Sequence, residues 1–217
     1  MDATFAWFAE RGITLEKTGS AREYGGRVSG FAGVELELLS AGEIPAELAT
    51  GRLHLGVTGS DLVHERIFDH AEKLRSIARM GFGHADLIVA VPDFWADVRS
   101  LHDLDAAAAQ FRAETGKRLR IATKYHRLVR EYLRRHGVAD YQLVDSQGAT
   151  EGTVKNERAE AIADITTTGA TLRDNHLRIL EAPVIHASQA NLFASKVVEL
   201  SPEESARFAS FEAIVTA

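Results

Sequence analysis

The sequence contains no cysteine, which excludes disulfide bonds, thiolate metal sites and cysteine nucleophiles. It also lacks any apolar run close to the roughly 20 residues that a membrane-spanning helix requires. The start, Met1-Asp2-Ala3-Thr4, lacks the basic flank of a secretory signal. We therefore expect a cytoplasmic protein without a membrane partner.

The composition is that of a globular protein. Its 217 residues are 45% hydrophobic and 26% charged, which excludes a disordered tail, a collagen-like fibre and a coiled-coil rod. The length allows one large domain or two smaller lobes. A formal net charge of -6 argues against nucleic acid as the main partner.

Positive charge is concentrated in one stretch that contains a single acid, Glu131, and whose basic residues are Lys117, Arg118, Arg120, Lys124, Arg127, Arg130, Arg134 and Arg135. A basic zone in an acidic protein is typical of binding to an anionic small molecule. The alternative is a solvated helix face, which we favour for the outer arginines.

Apolar strand patterns alternate with helical patterns along most of the chain. Strands are predicted at 34–38, 53–57, 87–91, 119–122, 141–144, 161–165, 177–180 and 184–187. Helices are predicted at 3–11, 40–48, 96–114, 126–136, 171–175 and 202–214, and a helical pattern also follows Leu62-Val63. The continuous run Leu87–Val91 is typical of a strand buried on both faces, as in a parallel sheet. We therefore predict an α/β fold with mostly parallel sheets.

Two prolines follow apolar strands and mark candidate crossings between lobes. Breaks at Pro92 and Pro183 divide the chain into lobe I, residues 1–91 plus 184–217, and lobe II, residues 92–183. A plain turn after each strand is the alternative. A chain that passes to a second lobe and returns is expected to bind its ligand in the cleft between the lobes.

The strongest functional signal is a strand that ends in an acid and leads through a threonine-rich loop into a helix. Asp164 ends the strand, and the loop that follows is Thr166, Thr167, Thr168, Gly169, Ala170 and Thr171. Small side chains let backbone N–H groups approach an anion, and the hydroxyls and the helix start add donors and partial positive charge. We interpret the loop as a cradle for a monophosphate and Asp164 as an acceptor for sugar hydroxyls. A threonine-rich helix cap is the alternative.

Three further turns carry candidate residues. Thr58-Gly59-Ser60-Asp61 suits either ligand contact or simple helix capping. Lys124 stands at a helix start, where a cation opposes the helix dipole unless an anion lies nearby. Glu151, in a glycine-flanked turn, is placed to hold a ribose hydroxyl or a metal-bound water.

Other chemistries lack their usual patterns. The 9 histidines show no HxxxH or HxH spacing on a shared face, so we predict no protein-built metal site. Ser60, Ser146 and Ser188 lack a G-x-S-x-G setting. Gly81-Phe82-Gly83 lacks the third glycine of a dinucleotide fingerprint.

Together these segments resemble ATP phosphoribosyltransferase of the short form, the catalytic subunit that opens histidine biosynthesis. The matching stretches, in the order of that family, are 55–62, 81–83, 121–125, 148–151 and 164–175. The resemblance implies two lobes like those of periplasmic binding proteins. It also implies transfer of the phosphoribosyl group from phosphoribosyl pyrophosphate to N1 of ATP, with release of pyrophosphate.

The resemblance also assigns expected roles. Lys124, Glu151 and Asp164 are the expected catalytic residues, and Asp164 with residues 166–171 is expected to bind phosphoribosyl pyrophosphate. The expected ATP-binding residues are Arg22, Arg27, Thr58, Gly59 and Asp61. The expected cofactor is Mg²⁺. A subunit resembling histidyl-tRNA synthetase is the expected partner, around a homodimer within a hetero-oligomer.

Two departures from the family pattern stand in the first third of the sequence. The family opens with a strand ending in a Pro-x-Lys-Gly-Arg type motif, whereas the printed sequence begins at the helix that follows it, and His54 stands where an acid is usual. We expect this chain to bind phosphoribosyl pyrophosphate better than it turns it over. The alternative functions are a two-lobe small-molecule binding module and a non-catalytic subunit of the same fold.

Overall fold

The computed structural model describes residues 1–17, 25–146 and 148–217. The helices are α1 Asp2–Ala9, α2 Ile44–Thr50, α3 Ser60–Arg66, α4 His70–Lys73, α5 Leu101–Thr115, α6 His126–Arg135, α7 Gly152–Lys155, α8 Ala170–Asp174 and α9 Pro202–Thr216. The strands are β1 Thr14–Lys17, β2 Gly25–Ser29, β3 Leu36–Glu37, β4 Leu55–Gly59, β5 Leu74–Arg79, β6 Ala85–Pro92, β7 Leu119–Thr123, β8 Tyr141–Asp145, β9 Ala161–Thr166, β10 Leu177–Ile179, β11 His186–Ser188 and β12 Ala190–Ser195. None of these helices is long and apolar enough to cross a bilayer.

The chain forms two compact units. The first contains Met1–Gly83 and Gln189–Ala217, and the second contains His84–Ser188. Pro92 is the last residue of β6 and Pro183 precedes β11, so both prolines lie inside the second unit. The lobe boundaries predicted at these prolines therefore differ by several residues from the boundaries of the two compact units. The assignment of lobes I and II stays a prediction.

The first unit contains two antiparallel sheets, in the orders β1-β2-β3 and β4-β12-β5. Strand β12 is central in the second of these sheets and is buried on both faces. Leu192 packs in a cluster with Phe8 of α1 and Phe211 of α9, while the next residue, Phe193, packs in a different cluster with Leu48. Because successive side chains of a strand point to opposite faces, helices cover both sides of this sheet.

The second unit is built on one mixed sheet, in the order β10-β6-β9-β7-β8, with β11 also paired to β6. Strand β9 runs parallel to β7 and antiparallel to β6. Arg120 of β7 is tied to Glu160, the residue before β9, through its backbone N–H at 2.7 Å and through its guanidinium. The hydrogen bonds to Glu160 raise the pKa of Arg120.

The α/β class predicted from the sequence is confirmed, with mixed sheets. Among the described strands, only the pairs β7–β8 and β7–β9 are parallel, so the expectation of mostly parallel sheets is wrong. The buried run Leu87–Val91 lies in β6, which pairs antiparallel with all of its neighbours. Burial on both faces explains the continuous apolar sequence, and it is independent of strand direction.

Several local elements differ from their predictions. Ser40 donates to the Glu43 carboxylate as the capping pattern suggests, but the helix begins only at Ile44. The strand predicted at 34–38 is shortened to Leu36–Glu37. Leu74–Arg79 is a strand, although the sequence pattern before it is helical, because it pairs with the distant β12.

The packing of Gly56 against α2 generates a stability prediction. A Cβ at this position would lie 2.6 Å from Ile44 Cγ2 and 3.1 Å from Leu48 Cδ1. Gly56→Ala is therefore expected to lower the free energy of unfolding by about 1 to 3 kcal/mol, the usual cost of overpacking, as measured by urea denaturation. In the control Gly152→Ala, the added Cβ meets no described atom within 4 Å, and an equal loss there would contradict the explanation.

The capping box of α5 generates a pH prediction. Hydrogen bonds from the Ser100 backbone, the Ser100 hydroxyl and the Arg99 backbone lower the pKa of Asp103. A lowered carboxyl pKa stabilises the fold above the unfolded-state value near 4, and this contribution disappears as pH falls through the folded-state value. Asp103→Asn is therefore expected to lower the melting temperature at neutral pH, with the difference shrinking below about pH 4. A constant difference across the titration would contradict this.

Candidate functional site

A cavity of about 410 Å³ lies at the carboxyl end of β9, within the second unit. Its lining combines two carboxylates, a row of threonine hydroxyls and a small apolar wall, formed by Ala85, Glu151, Ile162, Asp164, Ile165, Thr166, Thr167, Thr168, Ala170, Thr171 and Leu172. Most of the predicted threonine loop therefore lies around one cavity together with both predicted acids.

Strand β9 fixes where the loop begins. Its first three residues, Ala161, Ile162 and Ala163, are 0% exposed. All three pair with β7, and Ile162 and Ala163 also pair with β6. Asp164 and Ile165 follow, and pairing with β6 continues to Thr166 opposite Asp86. The strand is thus held on both sides up to Ala163 and on one side to its end, which places the first threonine at a defined point of the sheet edge.

Side-chain hydroxyls organise the loop. The Gly169 N–H donates to Thr166 Oγ1 at 2.9 Å, and the Ala170 N–H donates to Thr168 Oγ1 at 3.3 Å. The Thr167 hydroxyl donates to the His84 carbonyl at 3.2 Å. The local capping that we considered as an alternative is therefore present, and the same threonines also line the cavity.

Gly169 makes the turn into α8 possible. It precedes the helix with a φ of 68°, in the left-handed region where a Cβ is unfavourable. Ala170 then begins α8, whose first N–H groups have no carbonyl four residues earlier in the helix. The start of α8 therefore lies beside the cavity, and its first N–H, that of Ala170, is bonded to Thr168 Oγ1.

The two carboxylates reach the cavity from different segments. Asp164 belongs to β9, and its Oδ1 accepts a hydrogen bond from the Ile165 N–H at 2.8 Å. Glu151 precedes α7, in a turn held by the Ser146–Thr150 hydroxyl pair at 2.8 Å and by the Thr153 hydroxyl on the Thr150 carbonyl. This internal bonding fixes the turn that carries Glu151.

Lys124 contacts the turn rather than the cavity. Its Nζ donates to the Gly148 carbonyl at 2.7 Å, so a carbonyl oxygen supplies the negative partner expected beside a lysine at a helix start. It is not among the described residues that line the cavity. Its assignment as a catalytic residue stays a prediction.

The predicted ATP-binding residues lie in the first unit where they are described. Arg27 is exposed on β2, and Gly59 ends β4. Thr58 and Asp61 are buried, and the Thr58 hydroxyl donates to the Ala41 carbonyl at 2.7 Å. Arg22 lies outside the described residues. The role of this set in binding ATP stays a prediction.

The apolar wall of the cavity was not predicted from the sequence. Ala85 begins β6 and reaches the site because β6 pairs with β9, whose partner residues are about 80 positions away. Ile165 is 42% exposed although it lies in an apolar strand pattern. The change from continuous apolar residues to polar Asp164 and Thr166 on either side of Ile165 was the one sequence signal that this end of the strand leaves the core.

The family model and the curated relatives that match this chain carry the same description. The family described as ATP phosphoribosyltransferase matches residues 40–212. An ATP phosphoribosyltransferase of Cereibacter sphaeroides is 66% identical over 201 residues, which cover 93% of this chain and 85% of that protein. One of Afipia carboxidovorans is 48% identical, and the match covers 91% of this chain but 61% of the relative. The chain thus spans about three fifths of several curated relatives.

Solved structures show the same fold at low sequence identity. The ATP phosphoribosyl transferase (HisG:HisZ) complex from Thermotoga maritima matches 99% of this chain and 91% of its own, with a TM-score of 0.72 and 19% identity. The substrate binding protein of an amino acid ABC transporter matches 95% of this chain and 87% of its own, with a TM-score of 0.52 and 13% identity. The predicted likeness to periplasmic binding proteins is confirmed at the level of fold.

The backbone of Gly169 generates a ligand-binding prediction. Gly169→Ala is expected to weaken binding of ribose 5-phosphate, measured by calorimetry, by roughly tenfold, because a Cβ at this φ strains the loop by about 1 to 2 kcal/mol. Gly116 has a similar φ of 71° at the end of α5. Gly116→Ala therefore carries comparable strain away from the cavity, and it is expected to lower stability without changing the affinity. Equal effects of both variants on binding would contradict a role for the loop.

Proposed function

The chain belongs to the ATP phosphoribosyltransferase family, and we propose that it transfers the phosphoribosyl group of phosphoribosyl pyrophosphate to N1 of ATP. The bond between C1 of the sugar and pyrophosphate breaks, and a bond between C1 and N1 of the adenine forms. The products are phosphoribosyl-ATP and pyrophosphate, and the reaction is the first step of histidine biosynthesis.

The observation that carries this proposal is the threonine-lined cavity at the end of β9 with a carboxylate on its wall. The threonine hydroxyls and the start of α8 suit a phosphate monoester, because hydroxyls donate hydrogen bonds to it and a helix start adds partial positive charge. Asp164 follows directly on the buried part of β9 and lies in the same cavity. We propose that residues 166–171 hold the 5′-phosphate and that Asp164 accepts hydrogen bonds from the ribose hydroxyls.

The protein contributes to this reaction mainly by positioning the two substrates and by stabilising the charge that develops between them. Departure of pyrophosphate leaves positive charge on the sugar, which nearby carboxylates stabilise. Asp164 and Glu151 share the cavity wall and are the candidates for this role. A covalent nucleophile is not required by such a mechanism, so the candidate site needs no serine or cysteine at its centre.

The donor set fits Mg²⁺. Oxygen atoms of carboxylates are preferred ligands of this ion, which commonly binds through one or two carboxylates together with substrate phosphates. Asp164 and Glu151 are the residues that would hold it, and bound Mg²⁺ would neutralise the charge of the leaving pyrophosphate. No described basic side chain lines the cavity, so the two acids are consistent with a substrate accompanied by a cation.

The candidate residues for the adenine nucleotide lie in the first unit where they are described. We assign ATP contacts to Arg22, Arg27, Thr58, Gly59 and Asp61, and we place Lys124 near the phosphates. For Lys124, the bond to Gly148 supports a role in holding the turn that carries Glu151. Removal of the Lys124 side chain would then change the position of Glu151 in the cavity, because the turn would lose this hydrogen bond.

We also propose that the chain works with a subunit resembling histidyl-tRNA synthetase, as a homodimer within a hetero-oligomer. The similarity in fold to a protein solved as a HisG:HisZ complex supports a partner of this type. A two-lobe binding module and a non-catalytic subunit are the competing functions, and an assay of product formation separates them from the transferase.

Formation of phosphoribosyl-ATP from ATP, phosphoribosyl pyrophosphate and Mg²⁺, followed by absorbance with and without the partner subunit, tests the function. Thr168→Val is expected to reduce kcat/KM by about tenfold, the loss for one hydrogen-bond donor. Asp164→Asn is expected to reduce it by on the order of 100-fold, because a charge that stabilises the transition state is removed.

Thr115→Val is the matched control, because among the described residues the Thr115 hydroxyl bonds only to Phe111 of α5 and to Lys117 just after that helix. It is expected to leave the rate unchanged. Unchanged activity of the complex with the Thr168 and Asp164 variants would favour the non-catalytic subunit. Tight binding of a small solute without any product would favour the binding module.

A further inference from the structure

Arg173 reaches back from α8 to the loop in front of that helix. Its Nη1 donates to the Thr168 carbonyl at 3.1 Å, while its backbone N–H donates to the Gly169 carbonyl at 3.1 Å. Its position in the sequence had not predicted a role for this side chain. A Cβ at Gly169 would lie 3.2 Å from Nη1, so the guanidinium lies directly beside the glycine.

The Thr168 carbonyl and the Gly169 N–H belong to the same peptide group, and this group is bonded at both ends. Arg173 binds the carbonyl, and Thr166 Oγ1 accepts from the N–H at 2.9 Å. In a trans peptide these two atoms point in opposite directions. The two side chains together therefore fix which way the dipole of this peptide points.

The direction matters because the loop borders the cavity proposed for an anion. Glycine tolerates both signs of φ, so the peptide before Gly169 can rotate at a lower cost than elsewhere in the loop. Rotation would exchange the positions of the N–H and the carbonyl, and a carbonyl oxygen aimed at a phosphate is repulsive. A cationic donor on the carbonyl opposes this rotation, since charge-assisted hydrogen bonds are the stronger ones.

We propose that Arg173 is a positioning residue for phosphoribosyl pyrophosphate, which locks the Thr168–Gly169 peptide with its N–H toward Thr166 on the cavity wall. The proposal rests on the proposed function. Arg173 acts through the backbone of the loop, and its own guanidinium is engaged by Thr168.

The test compares the full chain with Arg173→Met and Arg173→Lys. Arg173→Met keeps most of the unbranched stem of the side chain and removes the donor. It is expected to raise the Kd for phosphoribosyl pyrophosphate, measured by calorimetry with Mg²⁺, by roughly tenfold or more. The KM for this substrate should rise in the assay while the KM for ATP and the melting temperature stay unchanged. Arg173→Lys retains a cationic donor and is expected to recover most of the loss.

Arg135→Met is the matched control. Arg135 also lies in the last turn of a helix of the second unit, where it pairs with Glu131 on the surface, and this variant is expected to bind as the unaltered protein does. Salt separates positioning from long-range attraction, because about 0.5 M salt screens charges more than a few ångströms apart. The affinity ratio between the unaltered protein and Arg173→Met is expected to persist at that salt concentration.

Three results would overturn the inference while leaving the proposed function intact: an Arg173→Met variant that binds as tightly as the unaltered protein, a ratio that collapses at high salt, or a lysine variant as weak as the methionine variant. Absence of binding and of product formation with the unaltered protein and its partner would overturn the proposed function and this inference with it.

Discussion

The pairing of β9 with a strand on each side is the constraint on which the candidate site depends. β9 lies between β6 and β7, and its first three residues are completely buried. A shift of one residue in the register of such a strand would move every side chain to the opposite face. The acid and the loop that follow it are therefore located by the sheet, and the loop needs only small side chains and one glycine to turn into α8.

That local logic explains why the loop was predictable from the sequence. A buried strand, an acid, threonines and a glycine form a short contiguous pattern, and the structure brings them to one cavity as expected. Asp164 and Glu151, in contrast, were predicted separately, each from its own turn. Only the sheet order, in which β7 stands between β8 and β9, brings the turn after β8 close to the end of β9.

The parts that sequence reasoning missed depend on contacts between distant residues. Antiparallel pairing of β6 with β9 places Ala85 in the site, and nothing in either strand alone specifies its partner or direction. The strands β5 and β12 likewise define each other, through pairing across more than 100 residues. Lys124 shows a related limit. The physical expectation of a negative partner was sound, yet a carbonyl of the neighbouring turn satisfies it.

The hydroxyls of Thr166 and Thr168 each accept a hydrogen bond from a backbone N–H and still carry a hydrogen of their own. A hydroxyl that accepts in this way is polarised and becomes a better donor. The backbone N–H groups can therefore stabilise an anion indirectly, through the threonine hydroxyls that they polarise. An anion that accepts from these hydroxyls need not contact the backbone itself. This arrangement extends the reach of the amides, and it supports the proposed binding of a sugar phosphate beside a helix of only five residues.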